Sequence, residues 1–253
     1  MEVFNHYAAY YDLLYTTKNY EAEVNYVDSL IKKYCPDTKT ILDLGCGTGT
    51  HGFHFSRKKY DVTGVDLSDN MVSIAKQKQK INGVEKISFQ QGNITSLKLN
   101  KQFDTVVSLF HVMNYLTSNN DMKAGFTTAA EHIRKGGIFI FDCWYGPAVL
   151  TELPKSGKKE LENEKIKVIR NVNPVLHPNR NAVDVNYEII VKEKSTGQTE
   201  TINETHSVRY FFKPEIELLF EQTDMELLNC EEWLTSKEVG FNTFGACFVG
   251  RKK

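Results

Sequence analysis

The feature that most constrains this chain is the run Ile41–Thr50, ILDLGCGTGT. An apolar segment ends in Asp43-Leu44 and gives way to glycines at 45, 47 and 49 before a helical pattern begins. Glycines placed this way let a backbone turn sharply out of a strand and approach a ligand with no Cβ in between. The helix behind such a turn offers N–H groups that lack intrahelical partners. Any tight turn also favours glycine, so the run alone does not fix a ligand.

The rhythm around the run supplies a fold. Val24, Val27, Leu30 and Ile31 recur at helical spacing within residues 21–34, and Thr40–Leu44 is a short apolar strand. A helix is expected over 53–59, a strand over 61–65, and a helix over 69–82 with Ser68 as its N-cap. Strands follow at 87–90 and 103–110, a helix at 119–133 closed by Gly136-Gly137, and a fifth strand at 138–143. Strands alternating with helices imply right-handed parallel crossovers. After Trp144 the period changes to two. KIKVIRNV, AVDVNYEIIVKEK and ETINETHSVRYFF read as antiparallel strands within 164–212. A helix from Pro214 to Thr223 and strands over 225–234 and 244–250 complete the pattern. The expected fold is α/β, a Rossmann-like, doubly wound, mostly parallel seven-stranded sheet with an antiparallel β insertion after strand five.

Composition removes whole classes of function. Among 253 residues, Lys+Arg 31 nearly balance Asp+Glu 32, so no global field would hold a nucleic-acid backbone or an anionic membrane. The expectation is no nucleic-acid partner and no membrane. Five cysteines without a C-x-x-C pair, two of them in apolar runs, fit a reducing compartment better than a disulfide framework or a zinc site. The histidines show no metal-ligand spacing, so no metal is expected. With no signal-peptide pattern and no apolar stretch near 18 residues, the chain reads as cytoplasmic.

Two further elements stand in order after the glycine run. Asp66 ends the strand DVTGV about 20 residues after Gly45, where a ribose-binding acid is expected; the plain alternative is a charge beside a helix N-terminus. Gly92-Asn93-Ile94 occupies the loop after the third strand. A dinucleotide site usually reads G-x-G-x-x-G, whereas the third glycine here comes one residue early, and Asp43 would oppose a pyrophosphate. A carboxylate suits instead the cationic amino-acid tail of S-adenosylmethionine.

DLGCGTG with the downstream VDLS resembles the class I S-adenosylmethionine-dependent methyltransferases. The wider chain is similar to their small-molecule branch, the N,N-dimethyltransferases of nucleotide-linked amino sugars, through YYDLLY with Lys18 and Tyr20, GTGTH, SLFHVMNYL, Asp142-Cys143-Trp144-Tyr145, ETHSVRYFFKPE and CFVG. This resemblance implies a cradle of Gly45, Cys46, Gly47 and Gly49, with Asp43 near the methionine ammonium and Asp66 on the ribose. Leu67 and Met71 would pack on the adenine, and Asn93 and Ile94 would meet its edge, although the branch more often has Asp at position 93. Phe110 and His111 would border the methyl group, and Tyr11, Tyr15 and Tyr20 would close a lid. The branch carries His or Tyr at the position of Tyr115.

Methyl transfer from a sulfonium is an in-line displacement that needs alignment, exclusion of water and an exit for one proton. His111 at the end of the fourth strand, Tyr115 and Tyr11 are therefore the candidate catalytic residues, a backbone-bonded histidine being an equal alternative for His111. Tyr7, Asp142, Trp144, His206 and Arg209 are candidates for the acceptor; His206 and Arg209, three apart on one strand, would face opposite ways. Arg170, Arg180 and Arg209 are the cations of the insertion that could meet a phosphate.

The expected organisation is an N-terminal helical lid over 1–35, a donor-binding core over 36–145 and 213–253, and an acceptor-side insertion over 146–212. The expected activity is transfer of a methyl group from S-adenosylmethionine, leaving S-adenosylhomocysteine, to a small polar acceptor, with N-methylation of an amino sugar favoured. That acceptor would be a nucleotide-linked or phosphorylated metabolite of surface-polysaccharide or secondary metabolism. The rival readings are an O-methyltransferase of a sugar or capsular phosphoramidate precursor, an NAD(P)-dependent oxidoreductase, and a non-catalytic S-adenosylmethionine-binding protein. The chain would act as a monomer or homodimer.

Overall fold

The computed structural model describes residues 13–253. Parallel strands β1 (Thr40–Leu44), β2 (Asp61–Asp66), β3 (Ile87–Gln91), β4 (Phe103–Ser108) and β5 (Ile133–Trp144) are joined by helices α1 (Tyr20–Tyr34, preceding β1), α2 (Thr50–Arg57), α3 (Asp69–Asn82) and α4 (Asn119–His132). After α5 (Gly146–Thr151) come β6 (Gly157–Glu162), β7 (Ile166–His177), β8 (Ala182–Glu193) and β9 (Thr199–Arg209). Helix α6 (Lys213–Gln222) and strands β10 (Met225–Glu232) and β11 (Gly245–Lys252) close the described chain.

Seven strands form one sheet in the order β10-β11-β5-β4-β1-β2-β3, with β11 antiparallel to both of its neighbours. The near-continuous apolar character of β1, β4 and β5 follows from burial on both faces. One face is filled by an aromatic group in which Phe126 of α4 meets Phe139, Phe141 and Phe220 edge-on at 5.4–5.8 Å. The other holds Val24, Val27 and Ile31 of α1 against Ile41, Ile138 and Val249. Burying each such side chain contributes about 1.5–3 kcal/mol.

Sheet order places the crevice. Chain direction switches between β1, whose crossover runs to β2, and its other neighbour β4, so ligands are expected beyond the carboxyl ends of these strands. Ser108 ties the two ends together by donating to the Leu44 carbonyl at 2.9 Å.

The second sheet is antiparallel, β6-β7-β8-β9. Inward residues of its strands, Val168 and Ile189, pack with Leu14 and Met71, so the sheet lies over the segment that precedes α1 and over the start of α3. Lys159 Nζ adds a hydrogen bond to the Leu14 carbonyl at 3.0 Å.

Several local expectations shift. Helix α2 starts at Thr50, directly behind the left-handed Gly49, instead of at 53. Strand β5 begins at Ile133, five residues early, and the two glycines expected to end α4 lie inside it, beside a register shift against β4. The reason is that His132 closes α4 itself: its Nδ1 lies 2.7 Å from the Thr128 carbonyl and Nε2 accepts from Leu99 N–H. Strand β4 stops at Ser108 because Phe110 and His111 adopt positive φ. Strand β6 and the short α5 had no clear signal in the pattern.

Candidate active site

The glycine run forms the turn between β1 and α2. Gly45 has φ +81°, and a Cβ there would sit 2.4 Å from Val112 Cγ1; Gly49 has φ +80°, and its Cβ would sit 2.5 Å from Phe89 Cζ. Backbone conformation and crowding both demand glycine at these two positions. Gly45 and Cys46 N–H donate to the Val65 carbonyl at 2.7 and 3.0 Å, which binds the turn to the end of β2.

Asp66 locks that junction. Its carboxylate accepts from Gly47 N–H at 2.8 Å and from Ser68 N–H at 2.9 Å. Burial nevertheless prevails over these bonds and raises its pKa. Each carboxylate oxygen keeps a further lone pair, so the two backbone bonds leave Asp66 able to accept a hydroxyl. Asp43 is 1% exposed, and its Oδ2 has no hydrogen-bond partner. Burial, partly countered by His51 and reinforced by Asp66, pushes the Asp43 carboxyl up to about 6.

At the end of β4 the chain bends through Phe110 (φ 66°) and His111 (φ 62°) into the single turn Val112–Tyr115. Two consecutive non-glycine residues in the left-handed region cost on the order of 1–3 kcal/mol each and need support. Asp142, on adjacent β5, supplies it by accepting from His111 N–H at 3.2 Å. His111 Nδ1 lies 2.8 Å from Asp142 Oδ2 but off the axis of an aligned hydrogen bond, and the contact is an ion pair only when the imidazole is protonated. Burial alone would raise the Asp142 carboxyl; His111 and, more weakly, Lys18 bring it below the ordinary range.

A cavity of about 380 Å³ opens from the glycine turn to the antiparallel sheet. Of the candidate residues in the described chain, Tyr15, Tyr20, Gly45, Cys46, Gly47, Asp66, Met71, Phe110, His111, Tyr115, Trp144 and His206 line it. Tyr15 meets Phe110 edge-on at 4.9 Å. Asp43 and Asp142 lie just behind the wall, fully buried, and Gly49 shapes the turn from beneath.

Other candidates are placed elsewhere. Leu67 is 46% exposed and does not line the cavity. Asn93 Oδ1 accepts from Thr95 N–H and hydroxyl, closing its own loop, and Ile94 packs on the hydrophobic core. Arg209 faces away from the cavity. It pairs with Glu215 and donates to Asn119 Oδ1 at 2.8 Å and the Thr117 carbonyl, clamping β9 to the starts of α4 and α6. Tyr7 and Tyr11 lie outside the described residues.

Further charged groups line the cavity or stand beside its lining residues, and of these Glu23 and Glu204 were not site candidates from the sequence. Lys18 pairs with Glu23 and stands 4.1 Å from the Phe110 ring centroid; Glu23 in turn meets His51 Nε2 at 2.7 Å. Arg170 lies over the Tyr187 ring at 5.2 Å and reaches the Tyr15 hydroxyl at 3.4 Å. Glu204 meets His206 Nε2 at 3.1 Å. The i, i+2 spacing of Glu204 and His206 was the one available signal, since such residues share a strand face.

These residues fit a zwitterionic nucleoside. A buried carboxylate, Asp43, with an oxygen lacking a partner, and a half-buried one, Asp66, flank the glycine turn, and a lysine stands over the Phe110 ring. Residues 41–137 match the family model described as a methyltransferase domain.

The dTDP-3-amino-3,4,6-trideoxy-alpha-D-glucopyranose N,N-dimethyltransferase of Streptomyces venezuelae is 30% identical over 148 residues, 58% of this chain and 60% of that protein. The chain spans about half to three-fifths of the length of the curated relatives it matches. An S-adenosylmethionine-dependent methyltransferase from Clostridium acetobutylicum superposes with TM-score 0.82 at 21% identity, over 98% of both chains. CalS10 of Micromonospora echinaspora, an amino pentose methyltransferase solved with S-adenosylmethionine bound, gives 0.76 at 22% identity, covering 98% of this chain and 97% of its own. These structures share the fold over nearly the whole chain. Among the described residues, no group of His, Cys, Asp or Glu is arranged to hold a metal, and no helix is long and apolar enough to cross a membrane.

Proposed function

We propose that this chain is an S-adenosylmethionine-dependent N-methyltransferase acting on a nucleotide-linked amino sugar. The observation that carries the proposal is the continuity of the cavity. One end is the glycine turn with Asp66, and the other is the antiparallel sheet, where Arg170, Tyr187 and His206 form the wall. Donor and acceptor can therefore meet in one enclosed space.

The donor, when bound, supplies a methyl group activated on a cationic sulfur. Gly45, Gly47 and Asp66 would hold its nucleoside, Asp43 would complement its ammonium, and Lys18 would complement its carboxylate. The faces of Tyr15, Tyr20 and Phe110 suit a cationic centre and exclude water from it. Alignment of two bound molecules then supplies most of the rate, since no covalent enzyme intermediate is required. On the acceptor side, Arg170 is the one insertion arginine of the three candidates that lines the cavity, which makes it the candidate for a phosphate oxygen.

Two groups at the cavity can take a proton: His111 backed by Asp142, and Tyr115 backed by His206. The test is transfer of labelled methyl from S-adenosylmethionine to a panel of dTDP-linked sugars bearing either an amine or a hydroxyl at the same carbon. Labelling of the amines alone supports the proposal. Labelling of the hydroxyl sugars alone makes the chain an O-methyltransferase, and failure to bind S-adenosylhomocysteine by calorimetry overturns the reading altogether.

A further inference from the structure

Tyr115, His206 and Glu204 form a chain that runs from the cavity inward. The Tyr115 hydroxyl lies 2.8 Å from His206 Nδ1, and His206 Nε2 lies 3.1 Å from Glu204 Oε2. Tyr115 is 37% exposed and lines the cavity, whereas the His206 and Glu204 side chains are only 5% and 7% exposed. Two elements assemble the chain: the turn after β4 brings the tyrosine, and two same-face positions of β9 bring the others.

Hydrogen-bond chemistry fixes its direction. With Glu204 ionised and the imidazole neutral, Nε2 of His206 carries the proton and donates to Glu204, because a carboxylate only accepts. Nδ1 is then the lone-pair nitrogen, and the Tyr115 O–H donates to it. A phenol hydroxyl that donates can also accept through its oxygen.

We propose that Tyr115 and His206 relay the acceptor's proton out of the cavity, with Glu204 as the positioning residue that sets the imidazole tautomer and receives the resulting charge. The inference rests on the N-methyltransferase reading above. In the step, the acceptor nitrogen uses its lone pair to form the new C–N bond, and the S–C electron pair stays on sulfur as a neutral thioether. The N–H proton of the resulting ammonium passes to the Tyr115 oxygen while the Tyr115 proton passes to His206 Nδ1. The products are a neutral methylated amine and an imidazolium paired with Glu204; release of that proton to solvent resets the relay.

The surroundings explain why a relay is needed. Burial first, then Tyr187, Tyr15, Glu204 and Asp66, push the Tyr115 hydroxyl well above its ordinary value, so a free phenolate is unfavourable there. Simultaneous transfer to His206 avoids that state. Tyr187 stands edge-on to His206 at 5.0 Å, and the Arg170 cation sits over the far side of the tyrosines, not on the imidazole. His111 is the competing assignment: its ring nitrogen is engaged by Asp142, which also holds the bend in the backbone.

The experiment uses the full chain, S-adenosylmethionine and whichever dTDP-linked amino sugar of the panel it methylates, with Tyr115→Phe, His206→Gln, Glu204→Gln, Glu204→Asp and His111→Asn compared. Tyr115→Phe and His206→Gln should lower kcat by about 100-fold or more, with KM changed by no more than about threefold, as expected for loss of acid–base catalysis. S-Adenosylhomocysteine affinity should be unchanged in both. Glu204→Gln should lower kcat about tenfold and move the rising limb of the pH–rate curve to lower pH, with Glu204→Asp restoring part of the rate. Nitrogen-15 NMR of the unaltered chain should show His206 as the Nε2–H tautomer, lost as a pure form in Glu204→Gln. Full kcat in Tyr115→Phe, an Nδ1–H tautomer in the unaltered chain, or a rate loss confined to His111→Asn overturns the relay while S-adenosylhomocysteine binding leaves the parent reading standing. Absence of that binding in the unaltered chain overturns both.

Discussion

Replacing Asp43 by asparagine should separate stability from donor binding. The carboxyl is raised from 3.8 to about 6 by burial, and its Oδ2 has no partner. A raised acid holds its proton more tightly in the folded chain than in the unfolded one. Stability therefore falls as pH rises from about 4 to about 6 and is level above that. A shift of roughly two units, at 1.36 kcal/mol each, corresponds to about 3 kcal/mol of destabilisation by the ionised group at pH 8. Asp43→Asn removes the charge and keeps the shape. It should thus raise the melting temperature at pH 8 by several degrees, taking about 2–4 °C per kcal/mol for a chain of this length, and change it little at pH 4. The same substitution should weaken S-adenosylhomocysteine at least about tenfold, since it removes the counter-charge to the ammonium. In the unaltered chain the affinity should fall as pH drops below about 6, where Asp43 becomes protonated. Scanning calorimetry at pH 4 and 8 with titration calorimetry at pH 5 and 8 tests all of this. A melting temperature lowered equally at both pH values, with ligand affinity intact, would refute the account of Asp43 as a charge held ready for a cation.

Three other outcomes follow from the same geometry. Gly49→Ala forces a Cβ to 2.5 Å from Phe89 at φ +80° and should both lower the melting temperature and weaken S-adenosylhomocysteine about tenfold or more; retention of both would contradict the described turn. Asp66→Ala removes the acceptor of Gly47 and Ser68 N–H, so donor affinity should fall even for analogues without ribose hydroxyls, a result that a ribose contact alone does not give. Arg209→Leu should destabilise the chain by about 3 kcal/mol by stranding Glu215, and the double variant Arg209→Leu/Glu215→Leu should recover much of that loss. Neither should change KM for the amino sugar; a KM effect in the double variant would place Arg209 in the acceptor site after all.

Local signals made the glycine-turn end of the cavity legible in advance. A strand running into closely spaced glycines, with Asp43 before them and Asp66 at the tip of the next strand, carries its geometry within short stretches of chain. The period change after Trp144 likewise announced the second sheet. Contacts between distant segments were not legible. Nothing in the spacing of Arg209 distinguished a clamp on Glu215 from a phosphate ligand, and nothing distinguished Arg170, which lines the cavity, from Arg180 and Arg209, which do not. Asn93 and Leu67 sat at plausible positions in the order of motifs, yet the loop turned one on itself and the other outward.

The amino-acid order by itself set the alternation of elements and the glycine turn, because backbone conformation and hydrophobic periodicity are decided within a few residues. Pairing of β9 with the turn after β4, which joins Tyr115 to His206 across 91 positions, was settled only when the antiparallel sheet packed over the parallel one. Side chains so far apart in the chain share a proton path only where the burial of apolar faces such as Leu14, Met71 and Val168 has already fixed the distance between the two sheets.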